Sequence, residues 1–238
     1  MKWLAVVAII GATTASTTQA DGPVSWSGPG SGSHNPAPGG RDVCWSEPGD
    51  LDGFLGSSER IDMFGIESEI ANDFIVEGDF LTHATWWGGQ YGTATCTPEW
   101  PTPGFNLRFY EDDNCAPGAM FAELATTDFT EEFLICGNNG FYPYYKYDAD
   151  IGVIVPANTR CWFSAQFMSH PFPGQGGRLT TVSVTGCESM FKSAYWSYPD
   201  WTPAHLVWGP VCDFGQEFVC GTTPVQPATW GMVKSLYR

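Results

Sequence analysis

The stretch Phe105-Asn106-Leu107-Arg108-Phe109-Tyr110 puts Phe105, Leu107 and Phe109 on one side and Asn106, Arg108 and Tyr110 on the other. That two-residue period is the signature of a strand with one buried face. Cys161 to Met168 repeats it, with Cys161, Phe163, Ala165 and Phe167 opposed to Trp162, Ser164, Gln166 and Met168. Further strands are predicted at Asn72 to Val76, Phe80 to Trp87, Met120 to Leu124, Phe133 to Cys136, Gly152 to Val155, Leu179 to Val184 and Phe214 to Cys220. Turn chemistry separates them at Ala116-Pro117-Gly118, Gly137-Asn138-Asn139-Gly140 and Pro173-Gly174-Gln175-Gly176-Gly177. No window of a dozen residues carries a helical stripe, and one short helical turn around Gly53 to Arg60 is the only helix expected. Roughly eight to ten short strands close a core most economically as two packed antiparallel sheets, so the predicted fold class is an all-β, two-sheet antiparallel β-sandwich.

The two ends read differently. Met1-Lys2 is followed by an apolar run from Trp3 to Gly11 and then by small polar residues up to Ala20, the layout of a secretory signal peptide over residues 1–20. The run is too short to cross a bilayer, which needs roughly 20 apolar residues, so no membrane insertion is expected once the signal is removed. From Asp21 to Arg41, 10 of 21 residues are Gly or Pro. Residues 21–43 therefore read as a flexible leader, 44–225 as the β domain and 226–238 as a tail.

Across the 238 residues, 10 Lys and Arg stand against 26 Asp and Glu, a formal charge of -16. Such a surface repels phosphate backbones and anionic head groups, which excludes nucleic acid as an expected partner. The eight cysteines, Cys44, Cys96, Cys115, Cys136, Cys161, Cys187, Cys212 and Cys220, all follow the expected cleavage point. An even count in an exported chain predicts four disulfides and a secreted, extracellular or periplasmic location. No pair of them has zinc-ligand spacing, and Cys212 with Cys220 is the one pairing the spacing favours, because Asp213 to Glu217 can turn between them.

The order Ala71-Asn72-Asp73-Phe74, Trp86-Trp87-Gly88-Gly89-Gln90-Tyr91, Phe105 to Tyr110 leading into Glu111-Asp112-Asp113-Asn114 and Pro117-Gly118, then Trp162-Phe163-Ser164, resembles a β-sandwich module recurrent in secreted bacterial proteins. The resemblance covers roughly Cys44 to Cys220 and implies no catalytic residues. It also resembles, in architecture, the jelly-roll sandwiches of carbohydrate-binding domains, which makes the expected fold jelly-roll-like and disulfide-linked. Members of the module often carry a surface-sorting tail; here the chain ends Ser235-Leu236-Tyr237-Arg238 without an apolar anchor.

Three kinds of chemistry are open. Strings such as Trp86-Trp87, Tyr142 to Tyr147 and Tyr195 to Trp201 contain neighbours that point opposite ways, so some rings are expected at the surface, where sugar C–H faces stack on them. Trp87, Trp100, Tyr145, Trp196 and Trp201 are the candidate ligand-binding residues; the alternative is that these rings are core. Glu111, Asp112 and Asp113, just after the Phe105 strand, are the candidate ligands for a structural calcium ion, the single cofactor considered; the alternative is a solvated acidic turn. Pro48 to Glu59 imitates a calcium loop but begins with Pro48, which lacks a side-chain ligand. A glycoside hydrolase needs two suitably spaced carboxyls, and Glu67 with Glu69 is such a pair, as are many in an acidic β protein. No HExxH or GxSxG motif is present. The expected function is non-catalytic extracellular recognition, a glycan first; the alternative is a structural or adhesive cell-surface module without a small ligand.

Overall fold

The computed structural model describes residues 42–91, 96, 101–137, 142–168 and 175–221. In chain order its strands are β1 Val43–Glu47, β2 Leu55–Ser57, β3 Arg60–Ile61, β4 Ile66–Glu67, β5 Glu69–Ile75, β6 Phe80–Tyr91, β7 Phe105–Asp112, β8 Pro117–Thr126, β9 Thr130–Cys136, β10 Tyr142–Ile154, β11 Arg160–Phe167, β12 Gln175–Leu179, β13 Met190–Ser193, β14 Tyr198–Pro203 and β15 Gln216–Cys220. One short helix, α1 Ala204–Trp208, precedes β15. The all-β expectation is met, and every strand pairing is antiparallel.

A seven-stranded sheet runs β1-β15-β6-β10-β9, with β12 also on β6 and β2 on β12; a six-stranded sheet runs β14-β13-β5-β11-β7-β8. β6 organises the first. It carries β10 along one edge, while β15 and then β12 share the other. The two-residue period aims Ala84 and Trp86 of β6, Tyr147 of β10 and Phe218 of β15 at Phe74, Phe105, Phe109 and Phe163 of the six-stranded sheet, in one shared core. Rings from the two sheets meet directly: Trp86 on Phe105 at 4.7 Å, Phe74 on Phe218 at 4.5 Å and Phe163 on Phe218 at 5.2 Å. Offset and edge-on rings at such distances add to what their buried area already contributes.

Several expected boundaries move. The Tyr142 to Tyr147 string is the first half of the thirteen-residue β10, because it can bury rings against both β6 and β9. The helical turn expected at Gly53 to Arg60 is strand β2; a single 3-10 turn lies instead at Asp62–Phe64, closed by Gly65 in the left-handed region at φ 61°. The strand expected from Leu179 to Val184 lies earlier, as β12. Gly176 is in the strand rather than a turn because the Phe167 ring packs onto its Cα, where a Cβ would collide. Strands β1, β3, β4, β13 and β14 had no predicted counterpart.

The cysteine expectations are corrected. Three disulfides form, Cys44–Cys220, Cys96–Cys136 and Cys115–Cys187, and Cys161 and Cys212 are buried free thiols. Cys220 pairs with Cys44 because β1 and β15 are neighbours. Cys212 packs with Ile70, Phe191, Ala204 and Phe214, and Cys161 belongs to the shared core. Among the described residues no helix is long and apolar enough to cross a membrane.

Candidate functional site

The outer face of the seven-stranded sheet follows from the same alternation. With Ala84 and Trp86 turned inward, His83, Thr85 and Trp87 of β6 turn outward. The register sets Glu217 of β15, Thr85 of β6, Asp148 of β10 and Thr130 of β9 in one cross-strand row. A second row sets Trp87, Lys146 and Glu132 side by side, and a third sets Val219, His83 and Asp150. Together with Val43 of β1, Thr85, Thr130, Glu132, Lys146, Asp148, Glu217 and Val219 line a groove of about 360 Å³.

The polar groups in this groove are oriented by their neighbours. The Thr85 hydroxyl donates to Asp148 Oδ1 at 2.9 Å, and the Ser46 hydroxyl donates to Glu217 Oε2 at 2.8 Å. His83 Nε2 pairs with Asp150 Oδ1. The Lys146 ammonium lies 5.7 Å from the centre of the Trp87 ring, a cation–π distance. The groove is thus a field of carboxylate acceptors with one ammonium donor and apolar patches at Val43 and Val219.

The six-stranded sheet carries a tighter polar cluster. Tyr110 donates its hydroxyl to Glu69 Oε1 at 2.6 Å, and Arg108 reaches Glu69 Oε2 at 3.0 Å and Glu123 Oε1 at 2.8 Å. Burial disfavours the Arg108 charge, but Glu69, Glu123 and Tyr110 together more than offset this and hold its pKa above the ordinary value. Burial, then Glu69, pushes the Tyr110 phenol up as well. Lys192 lies 3.7 Å from Glu69 and 4.4 Å from the Trp201 ring centre.

The five candidate aromatic residues are not gathered in one cleft among the described residues. Trp196 is exposed, edge-on to Tyr195 at 5.0 Å, in the turn before β14. Trp201 is half-buried against Tyr110 and Lys192. Trp100 lies outside the described residues. Trp87 and Tyr145 are corrected from surface rings to buried ones, at 8% and 5% exposure. Trp87 does face away from Trp86, but it is roofed by a second cluster of Leu55, Tyr144 and Leu179, and Gly49 crosses so close that a Cβ there would sit 2.6 Å from the Trp87 Cβ. Tyr145 packs in the shared core, edge-on to Phe133 at 5.8 Å.

The acidic turn is spread out. Glu111 is exposed, Asp112 Oδ1 accepts the Trp162 indole N–H at 2.9 Å, and Asp113 Oδ1 accepts the Asn114 amide at 3.0 Å. Among the described residues no three His, Cys, Asp or Glu side chains converge as a metal cage. Glu67 and Glu69 do meet, through Arg108, at 3.6 and 3.0 Å from its Nη1.

Sequence reasoning missed the buried charges. Burial pushes Glu47 and Glu59 up to about 7, Asp73 to about 6 and Asp213 to about 8, and lowers Arg178 to about 9. Desolvation penalises the charged form in each case. The local signal at Asp213 is its place between Cys212 and Phe214, an acid flanked by core residues. Comparison with protein-family models, curated proteins and solved structures finds no match to this chain.

Proposed function

We propose that the protein is a secreted, non-catalytic recognition module that binds a glycan in the groove on the outer face of the seven-stranded sheet. The observation that carries this reading is the cross-strand row of Glu217, Thr85, Asp148 and Thr130 beneath an open groove. The volume of about 360 Å³ falls in the range of small-molecule sites, roughly 300–1,000 Å³. Sugar hydroxyls donate to the Asp148, Glu217 and Glu132 carboxylates and accept from Lys146. Sugar C–H groups rest on Val43 and Val219. Thr85 and Ser46 each donate to a groove carboxylate, which orients Asp148 and Glu217 towards the groove as hydrogen-bond acceptors for a ligand.

Calorimetric titration of the oxidised protein with neutral, acidic and amino-bearing oligosaccharides tests this. Saturable binding is expected with at least one class, weakened about tenfold by Asp148→Asn or Glu217→Gln, since each removes a charge-assisted hydrogen bond. No binding by any class, or binding indifferent to both substitutions, refutes the assignment. The second reading, a structural or adhesive module without a small ligand, is favoured by the burial of Trp87 and Tyr145, the rings best suited to stack on sugars. Its signature is a folded protein that no saccharide titrates.

A further inference from the structure

Three carboxylates converge where β1, β5 and the loop before β15 meet residues 181–189: Glu47, Asp73 and Asp213 are 6%, 1% and 0% exposed. Two guanidiniums face them. Arg178, fully buried, acts electrostatically on Glu47 and Asp213 while its Nη1 and Nη2 groups donate to the carbonyls of Phe163 at 3.3 Å and Gly215 at 2.9 Å. Arg160, which reaches solvent, pairs with Asp73 Oδ2 at 2.9 Å. Asp112 adds repulsion at Asp73, and the Cys212 thiol lies beside Asp213 and Glu188. Full ionisation therefore leaves at least one buried negative charge without a counter-charge, which a low-dielectric interior strongly opposes.

The hydrogen bonds indicate where a proton resides. Asp213 accepts backbone N–H groups on both oxygens, from Thr185 at 2.8 Å on Oδ2 and from Ser189 at 2.9 Å on Oδ1. Glu47 accepts at Oε2, from Asn72 at 2.9 Å and Trp45 at 3.2 Å, and the Thr185 side chain also favours its charged form by a hydrogen bond, while its buried Oε1 has no partner within 3.5 Å; Asp73 Oδ1 is likewise buried with no partner within that distance. Those two oxygens are the vacant seats for a proton, and the three carboxylates titrate as one coupled unit.

The amides that complete this cluster belong almost entirely to residues 181–189. Besides Thr185 and Ser189, Cys187 N–H donates to Asp73 Oδ2 at 3.2 Å, and Thr181 N–H to the Asp213 carbonyl at 2.9 Å. The segment's middle, residues 182–186, is exposed. Gly186, at φ 89°, settles against Asp73, where a Cβ would come within 2.5 Å of Oδ2. Cys187 is tethered to Cys115.

We propose that residues 181–189 form a pH-sensitive strap, latched over Glu47, Asp73 and Asp213 while the cluster holds a proton and loosened when that proton leaves. Loss of the proton strands a buried anion, and lifting the exposed strap is the route by which water reaches it. The Cys115–Cys187 tether keeps the movement local and reversible.

Amide hydrogen exchange on the intact oxidised protein, corrected for intrinsic base catalysis, tests the strap. Protection at Thr185, Cys187 and Ser189 is expected to fall, between about pH 5.5 and about pH 8.5, at least about tenfold further than that of Leu107 of β7, a core amide that follows global stability. Glu47→Gln, neutral at every pH, is expected to abolish that fall. Equal strap protection at both pH values in the wild type, or an undiminished fall in folded Glu47→Gln, overturns the proposal. Should Glu47→Gln fail to fold, the wild-type contrast between the strap and Leu107 decides: a fall in the strap larger than that of Leu107 supports the strap, and an equal fall in both overturns it.

Discussion

Trp86 and Trp87 are chain neighbours on β6 that lie on opposite faces of the sheet, and both are buried. Trp86 stacks in the shared core, 4.7 Å from Phe105 and 5.8 Å from Tyr147. Trp87 lies in the outer cluster with Leu55, Tyr144 and Leu179. The seven-stranded sheet is therefore covered on both faces at this end, and its open polar groove begins where that cover stops, at Lys146.

Both tryptophans are therefore expected to be structural. Trp86→Ala and Trp87→Ala should each destabilise by about 3–5 kcal/mol in urea titrations, the usual cost of emptying a buried aromatic site. A Trp87→Ala change within about 0.5 kcal/mol of wild type, the ordinary surface result, would show that the outer cluster does not hold the ring.

Stability should depend on pH through Glu59. Burial raises its pKa from 4.5 to about 7, opposed by the Gly176 N–H and the Ser57 hydroxyl. With the folded value above the unfolded one, the folded state holds the proton more tightly. Its stabilising effect is complete below about pH 4.5 and is lost as pH rises through about 7. Thermal melts are expected to peak near pH 5 and fall towards pH 8, and Glu59→Gln should remove on the order of 3 kcal/mol of that decline. The Ser57 hydroxyl can turn to suit the amide. Identical pH slopes in the two proteins would contradict the assignment.

Removing Arg108 should cost more than removing its exposed partner. Glu69 has 2% side-chain exposure and Glu123 has 45%. Arg108→Met leaves the buried Glu69 with Tyr110 and the more exposed Lys192 at 3.7 Å, and a loss of about 3 kcal/mol is expected. Glu123→Gln should cost less than about 1 kcal/mol. Chemical denaturation of the two variants checks the order, and a reversal would mean that Glu69 does not depend on Arg108.

Thiol titration should find no reactive cysteine in the native protein and two on unfolding without reductant, Cys161 and Cys212. Peptide mapping should recover Cys44 linked to Cys220. A Cys212–Cys220 peptide, or no thiol in the unfolded chain, would contradict this connectivity.

How much was legible depended on how local the signal was. Phe105 to Tyr110 displays its strand in six residues, since one face meets the core and the other meets Glu69 and Glu123. Tyr142 to Tyr147 does not, because β10 is flanked on both edges and its residues bury on both faces, which erases the alternation. Gly176 and Gly177 carry a turn signature, yet Gly176 is glycine for the sake of the Phe167 ring. The groove was invisible for a related reason: Glu217, Thr85, Asp148 and Thr130 come from four separate strands and become neighbours only through register.

By itself the sequence determined the all-β class, the positions of its clearest strands and the excess of acid, because strand period, turn residues and net charge are properties of a few residues or of a sum. The tertiary structure alone decided which cysteines pair, which tryptophans are covered, and that Glu47, Asp73 and Asp213 share one buried place. Those outcomes depend on contacts between residues far apart in the chain, which local pattern does not encode and only the pairing of strands and the facing of two sheets can bring about.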